Sequence, residues 1–197
     1  MTEEWQALRR RMDEAAASDP ATAGRRLVYG EGETEHPRLC LIGEAPGAQE
    51  EAQGRPFVGK AGQNLNGFLT LLGLQREEIY ITNTVKLRPI RVSAKGTVGN
   101  RPPSSQELAL FVPLLLQELA LLRPPLLVTL GNTALQALLG RGALIGDCHG
   151  RLLQAELPGG LSCPLFPLYH PAAIIYNRAL SQTYEEDLHA LKALMNH

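Results

Sequence analysis

The apolar run Leu39-Cys40-Leu41-Ile42 passes directly into Gly43-Glu44-Ala45-Pro46-Gly47, and a second glycine-rich turn, Gly59-Lys60-Ala61-Gly62, opens a helix soon afterwards. A short apolar run that ends in glycine is how a buried strand feeds a loop at the carboxyl edge of an open sheet, and such edges bind ligands. Between the two turns stand Glu50, Glu51 and Gln53-Gly54-Arg55-Pro56-Phe57-Val58-Gly59, a glycine-flanked segment with one aromatic. Pro46 and Pro56 stiffen it, and its glycines let other groups approach the backbone, which predicts a preformed pocket rather than a linker. The helix, read as Leu65 to Leu72, aims backbone N–H groups back at the loop. On these residues alone the stretch also fits a glycine-rich βα connection of some nucleotide-binding sheet.

The strand-to-turn pattern recurs. Ile79 to Thr82 leads to Asn83, Leu126 to Leu130 turns at Gly131-Asn132-Thr133 into a helix ending near Gly140, and Pro164 to Tyr169 delivers His170-Pro171-Ala172-Ala173. Ser104 with Glu107 three residues on is a capping signature for a helix that runs to about Leu122 through Pro113. Glu4 to Ala17 sets Trp5, Leu8, Met12 and Ala15 at helical spacing, and Gln182 to Met195 turns Leu188, Leu191 and Leu194 inward. Val28 to Gly32 reads as a short strand or bend, and Arg151 to Leu157 alternates as an edge hairpin does. Four βα-type units without a repeat predict an α/β fold, a three-layer α/β/α sandwich around a central four-stranded parallel sheet. With 197 residues and 44% hydrophobic content, one well-buried domain over 1–197 is expected, with the first helix, about 3–17, packed on it.

A net charge of −1 excludes the global basic excess that by itself advertises nucleic-acid binding, so any such surface must be local. One basic, irregular stretch follows Asn83, carrying Lys86, Arg88, Arg91, Lys95 and Arg101. No apolar run approaches the ~20 residues of a membrane span. Met1-Thr2-Glu3-Glu4 lacks the regions of a signal peptide, so a cytoplasmic protein without a membrane partner is expected.

Taken together, Gly43 to Gly47, Glu50, Glu51, Arg55 to Gly59, Ile81-Thr82-Asn83, Lys86-Leu87-Arg88-Pro89 and His170-Pro171 resemble the uracil-DNA glycosylase superfamily, most closely its family 4 branch, from about Val28 to the C-terminus. The resemblance implies a DNA repair glycosylase, monofunctional and working on DNA as a monomer with water as co-reactant and no metal, that flips uracil out of DNA and leaves an abasic site. Other readings are a glycosylase of hypoxanthine or xanthine and a uracil- or DNA-binding relative without turnover. A related group that bonds covalently to uracil carries a histidine in an insertion after the Arg-Pro; Ile90 to Gly99 contains none.

Uracil removal requires extruding the nucleotide, reading the base edge and stabilising charge as the glycosidic bond breaks. Phe57 offers a stacking face, and Asn83 can accept from uracil N3–H while donating to O4, a pattern cytosine reverses. His170 can donate to O2 as uracil leaves as an anion. Gly43 and Ala45 line the uracil site; relatives often carry aspartate or asparagine at the position of Ala45, and alanine cannot activate water. Glu44 or Glu50 could position water or stabilise an oxocarbenium-like sugar. DNA phosphates are assigned to Lys60, Gly62, Gln63, Lys86, Arg88, Arg101, Gly131 and Asn132, with Arg91 and Lys95 in the long loop. Tyr176 stands where the family's second motif usually has a basic residue. The competing readings are core packing for Phe57, a turn or cap for Asn83, a strand-end histidine for His170 and plain helix-start charges for the acids.

Family 4 enzymes typically hold an iron–sulfur cluster on four cysteines, whereas this chain has three, Cys40, Cys148 and Cys163, with no Cys-x-x-Cys pair. Leu87 and Phe111 stand at the third and fourth ligand positions. No cofactor is therefore expected, and the cysteines read as reduced thiols.

Overall fold

Alternation along the strands sorts the side chains into two cores. The computed structural model describes residues 2–177 and 179–196, without the side chains of Ala61, Ile174, Ile175 and Tyr176. Strands β1 (Glu31–Gly32), β2 (Cys40–Gly43), β3 (Tyr80–Asn83), β6 (Leu127–Leu130), β7 (Leu153–Leu157) and β8 (Leu161–Leu168) form one sheet in the order β1-β3-β2-β6-β8-β7. The inner four, β3, β2, β6 and β8, are parallel, and β1 and β7 add antiparallel edges. The expected four-stranded parallel core is thus present, with an edge strand on either side.

Cys40, Ile42, Tyr80, Leu127 and Leu165 face one core, shared with helices α1 (Glu3–Ser18), α4 (Ser105–Leu122) and α5 (Asn132–Leu139). Leu39, Leu41, Ile81, Val128, Phe166 and Leu168 face the other, against α3 (Lys60–Leu72) and α8 (Leu180–Met195). A period of two along each buried strand therefore produces the three layers. Trp5, Leu8, Met12 and Ala16 form the buried stripe of α1; the stripe ends at Ala16, not Ala15, and Trp5 meets Tyr80 at 5.7 Å between ring centroids.

α4 starts as its sequence requires: Ser104 Oγ accepts from the Glu107 backbone N–H, and the Glu107 carboxylate accepts from the Ser104 N–H. The helix continues past Pro113 and ends at Arg123 in the left-handed conformation. With 18 residues and a mean hydropathy of 1.4 it is long and apolar enough to pass for a membrane span by composition. Phe111, Leu115 and Leu119 are nevertheless fully buried against the sheet, and Glu118 lies buried among them.

Several short elements among the described residues were not evident in the sequence. Helices α2 (Ala48–Gln53), α6 (Ile145–Cys148) and α7 (Pro171–Tyr176) are too short for a periodic pattern, and a separate two-stranded ribbon, β4 (Ile90–Val92) with β5 (Val98–Asn100), occupies the basic stretch read as irregular.

Candidate active site

The carboxyl ends of β2, β3 and β8 meet at a cleft of about 410 Å³ lined by Ala45, Gly47, Ala48, Gln49, Glu50, Phe57, Gly59, Lys60, Asn83, Asn100 and His170. Gly43 explains why the groups converge. A Cβ there would stand 2.4 Å from Asn83 Oδ1 and 2.5 Å from Phe57 Cζ, so only glycine lets the amide and the ring meet over the end of β2.

Phe57 is held in a costly conformation. Its φ of 52° is uncommon for a residue with a bulky side chain. Arg76 clamps it by donating from Nη1 to the Phe57 carbonyl at 3.0 Å and from Nη2 to the Pro56 carbonyl, while Glu31 anchors the guanidinium at 2.6 Å. Gly62 completes the clamp, because any Cβ would lie 2.0 Å from the Phe57 carbonyl oxygen. The ring is buried on the cleft wall, 6.2 Å from the His170 ring and tilted 30° to it.

Asn83 is buried at the end of β3, with its side chain on the cleft. Its backbone carbonyl accepts from Lys86 Nζ at 2.7 Å, and among the described residues its side-chain amide has no protein hydrogen bond. The amide is therefore available to a ligand with the donor and acceptor pattern of uracil.

His170 caps α7, its Nδ1 accepting from the Ala172 backbone N–H at 3.1 Å. A nitrogen that accepts carries no proton, so the neutral ring bears its proton on Nε2. Burial pushes the imidazole below its ordinary value and keeps it neutral. Gly131, at φ 85°, brings the β6 turn close behind the ring; a Cβ there would lie 3.3 Å from His170 Cβ.

The two acids differ from expectation. Both Glu50 oxygens are engaged, Oε2 with the Gly47 N–H at 3.1 Å and Oε1 with the Val58 and Gly59 N–H groups at 3.1 and 2.7 Å. The carboxylate thus ties the two ends of the pocket loop together while still lining the cleft. Glu44 is not among the residues that line the cleft and accepts from Thr133 Oγ1 at 2.5 Å. Ala45 lines the cleft as expected.

The DNA-facing set needs more correction. Lys86 is fully enclosed, donating to Thr82 Oγ1, the Asn83 carbonyl and Glu118 at 2.6, 2.7 and 2.5 Å, so it has no path to a phosphate. The Gly131 N–H is committed to the Leu168 carbonyl and the Gln63 N–H to the Gly59 carbonyl, so neither is open to an anion. Asn132 is exposed, but its side chain accepts from the Ile145 N–H. Arg88 donates to Asn100 Oδ1 at 2.7 Å and to Glu51 at 3.2 Å, and Arg101 pairs with Glu107 at 2.6 Å, so both brace the wall. Lys60 remains exposed on the cleft, and Gly62 serves packing. The side chain of Tyr176 lies outside the described residues.

Asn100 and Arg76 had not been singled out as site residues. Asn100 stands beside Arg101 in the basic stretch, where nothing local marks it, and Arg76 reaches Phe57 from a 3-10 turn, Arg76–Glu78, that no local pattern links to the cleft.

The residues do not fit an iron–sulfur cluster. Leu87 and Phe111 are fully buried in the same apolar core as Trp5, Met12 and Ala16, which seals the place with hydrocarbon. Cys40 is buried within β2 with its thiol pushed far up by desolvation, and burial raises the Cys163 thiol to about 11. Among the described residues, no group of three or more His, Cys, Asp or Glu side chains is placed to hold a metal ion.

The cleft can stack a planar base, read an edge that presents one donor beside one acceptor, and donate to an oxygen that gains charge. A family model described as the uracil DNA glycosylase superfamily matches residues 29–194. The chain is 39% identical over 168 residues to a type-4 uracil-DNA glycosylase of Pyrobaculum aerophilum, covering 83% of this chain and 81% of that protein. It is 34% identical over 177 residues to one of Saccharolobus solfataricus, covering 87% and 77%, and 34% identical over 172 residues to one of Thermotoga maritima, covering 86% and 83%. On its cleft, its sheet and these relatives alike, the chain belongs to the uracil-DNA glycosylase superfamily and stands with its type-4 branch.

Proposed function

We propose that this protein is a monofunctional uracil-DNA glycosylase that extrudes uracil from DNA and hydrolyses its N-glycosidic bond, leaving an abasic site. The observation that carries this is the meeting of Phe57, Asn83 and His170 on one cleft, made possible by the missing side chain at Gly43. Phe57 stacks the base, Asn83 reads N3–H and O4, and His170 Nε2–H donates to O2 as the glycosidic electron pair moves onto uracil. Water adds to the sugar carbon and releases one proton to solvent, and the departing uracil anion takes one up. With Glu44 turned to Thr133 and both Glu50 oxygens engaged, the bond is broken chiefly by leaving-group stabilisation, and the Glu50 charge on the cleft wall favours a cationic sugar. No iron–sulfur cluster takes part; side-chain packing at Leu87 and Phe111 does its structural work. The enzyme acts as a cytoplasmic monomer in base excision repair.

The test is single-turnover cleavage, after alkali, of a labelled oligonucleotide carrying one uracil, beside hypoxanthine and undamaged controls, with wild type and Asn83→Ala. Cleavage confined to uracil and lost in Asn83→Ala is expected. Faster release of hypoxanthine than uracil would replace the substrate assignment, and no product from folded protein that still binds DNA would remove the enzymatic one.

A further inference from the structure

The ribbon β4–β5 is joined to the cleft at its base and has its apolar side uncovered. Ile90 faces Asn100, Arg91 faces Gly99 and Val92 faces Val98 across the two strands. Because side chains alternate between faces, Asn100, Ile90, Val92 and Val98 share one face, and Arg91 and Gly99 share the other. The second face is filled: Arg91 lies over Gly99, where a Cβ would be 3.6 Å from its Nε. The first face begins in the cleft, since Asn100 lines it and its Nδ2 comes within 3.7 Å of where a Cβ on Gly47 would stand. Farther out on that same face, Val92 is 63% and Val98 49% exposed, two of the four exposed large apolar side chains among the described residues.

The base of the ribbon is built to hold this direction. Arg88 donates to Asn100 Oδ1, Arg101 Nε to the Ile90 carbonyl at 3.0 Å, and the Arg101 N–H to the Pro89 carbonyl at 3.1 Å. Two-stranded ribbons are marginal alone, so a braced one with an uncovered apolar pair is suited to meeting a partner. Charge selects which partner. From Ile79 to Gln106 there is no acidic residue, Arg88 and Arg101 are neutralised by Glu51 and Glu107, and Arg91 and Lys95 have no ion pair among the described residues. A strip that is apolar beside the cleft and carries only uncompensated positive charge matches a polyanion with hydrophobic sugar and base edges.

Building on the glycosylase reading, we propose that the β4–β5 ribbon is a duplex-contacting arm. Val92 and Val98 pack against the DNA beside the extruded nucleotide, and Lys95, in the five-residue connection at the tip, meets a backbone phosphate. A ribbon of this width fits a duplex groove, and apolar side chains at such sites contact sugars and base edges. The arm extends the footprint from the flipped base to its paired neighbours, so it favours double-stranded substrate.

The test uses the full chain and three variants: Val92→Thr with Val98→Thr, which keeps the β-branched shape; Lys95→Ser; and replacement of residues 91–99 by an Asn-Gly turn, which the facing positions of Ile90 and Asn100 permit. Equal melting temperatures establish folding. Binding is measured to a duplex containing an abasic-site analogue and to the matching single strand across a salt series. The valine pair is expected to weaken duplex binding about tenfold with little effect on the single strand. Lys95→Ser should lower the salt slope by ~0.9, as loss of one phosphate contact does. The excision rate at saturating enzyme should stay near wild type in both. Unchanged duplex affinity in all three variants overturns the proposal and leaves the apolar face to a protein partner. Unchanged affinity with a slower saturating rate overturns it too, showing that the ribbon only shapes the cleft. If wild type excised no uracil yet the variants lost duplex binding, the ribbon would stand and the glycosylase reading would fall.

Discussion

At the scale of single residues, His170 has its tautomer set by local geometry and its charge state set by burial. The Ala172 N–H occupies Nδ1, so Nε2–H is the ring's free donor, and desolvation favours the neutral ring. Replacing His170 by Ala should slow excision by ~10²–10³, the cost of losing one donor to a developing oxyanion, with the protein still folded. A slowing under about threefold in single-turnover kinetics would remove the donor role. The pH dependence follows from the same burial. The folded chain takes up this proton below the ordinary value of about 6.5 while the unfolded chain takes it up near that value, so stability falls as pH drops through it. The neutral donor persists below it as well, and the acid limb of the excision profile should lie below about 6.5 and vanish in His170→Ala. Asn83, Phe57 and His170 were legible in the sequence because each follows a strand or a glycine turn. The engagement of Glu50 was not, because an acid near a loop start looks the same whether its partner is water or three N–H groups.

At the scale of elements, one buried ion pair fastens the end of β3 to α4. Lys86 Nζ and Glu118 Oε2 meet at 2.5 Å with both side chains essentially inaccessible, and Glu118 also accepts from Tyr80 and Thr82. Taking away one partner leaves an uncompensated buried charge, so Lys86→Met should destabilise by about 3–5 kcal/mol. Lys86→Met with Glu118→Gln removes both charges and keeps an acceptor for Tyr80; its loss in urea unfolding should be clearly smaller than that of Lys86→Met alone. Equal losses would mean that packing and not charge sets the cost. The Lys86 ammonium also holds the Asn83 carbonyl, so this fastening helps set the end of the strand that carries the Asn83 amide on the cleft. From sequence, a lysine in a basic stretch reads as a phosphate ligand; its buried role depends on a carboxylate 32 residues away, on α4. The helix boundaries were easier, since Ser104 and Glu107 cap α4 through contacts three residues apart.

At the scale of the whole molecule, the two cores close around the sheet by side-chain packing. The positions of Leu87 and Phe111 are filled by side chains packed with those of α1. The purified protein should be colourless, and prolonged chelation should leave its melting temperature and excision rate unchanged; a visible absorption band bleached together with lost stability would overturn this. What the sequence determined by itself was whatever depends on neighbours along the chain. Alternation assigned strand faces, glycine and histidine at strand ends marked the cleft, and the missing Cys-x-x-Cys argued against a cluster. Only the tertiary structure decided which polar groups were already satisfied: Lys86 by Glu118, Gly131 by Leu168, Glu50 by the far end of its own loop. It also decided that Val92 and Val98 stand uncovered on the cleft side of a ribbon, in a stretch whose composition read as an irregular loop. The physical reason is that hydrophobic periodicity is local, whereas hydrogen bonds and ion pairs join residues far apart in sequence that only packing brings together.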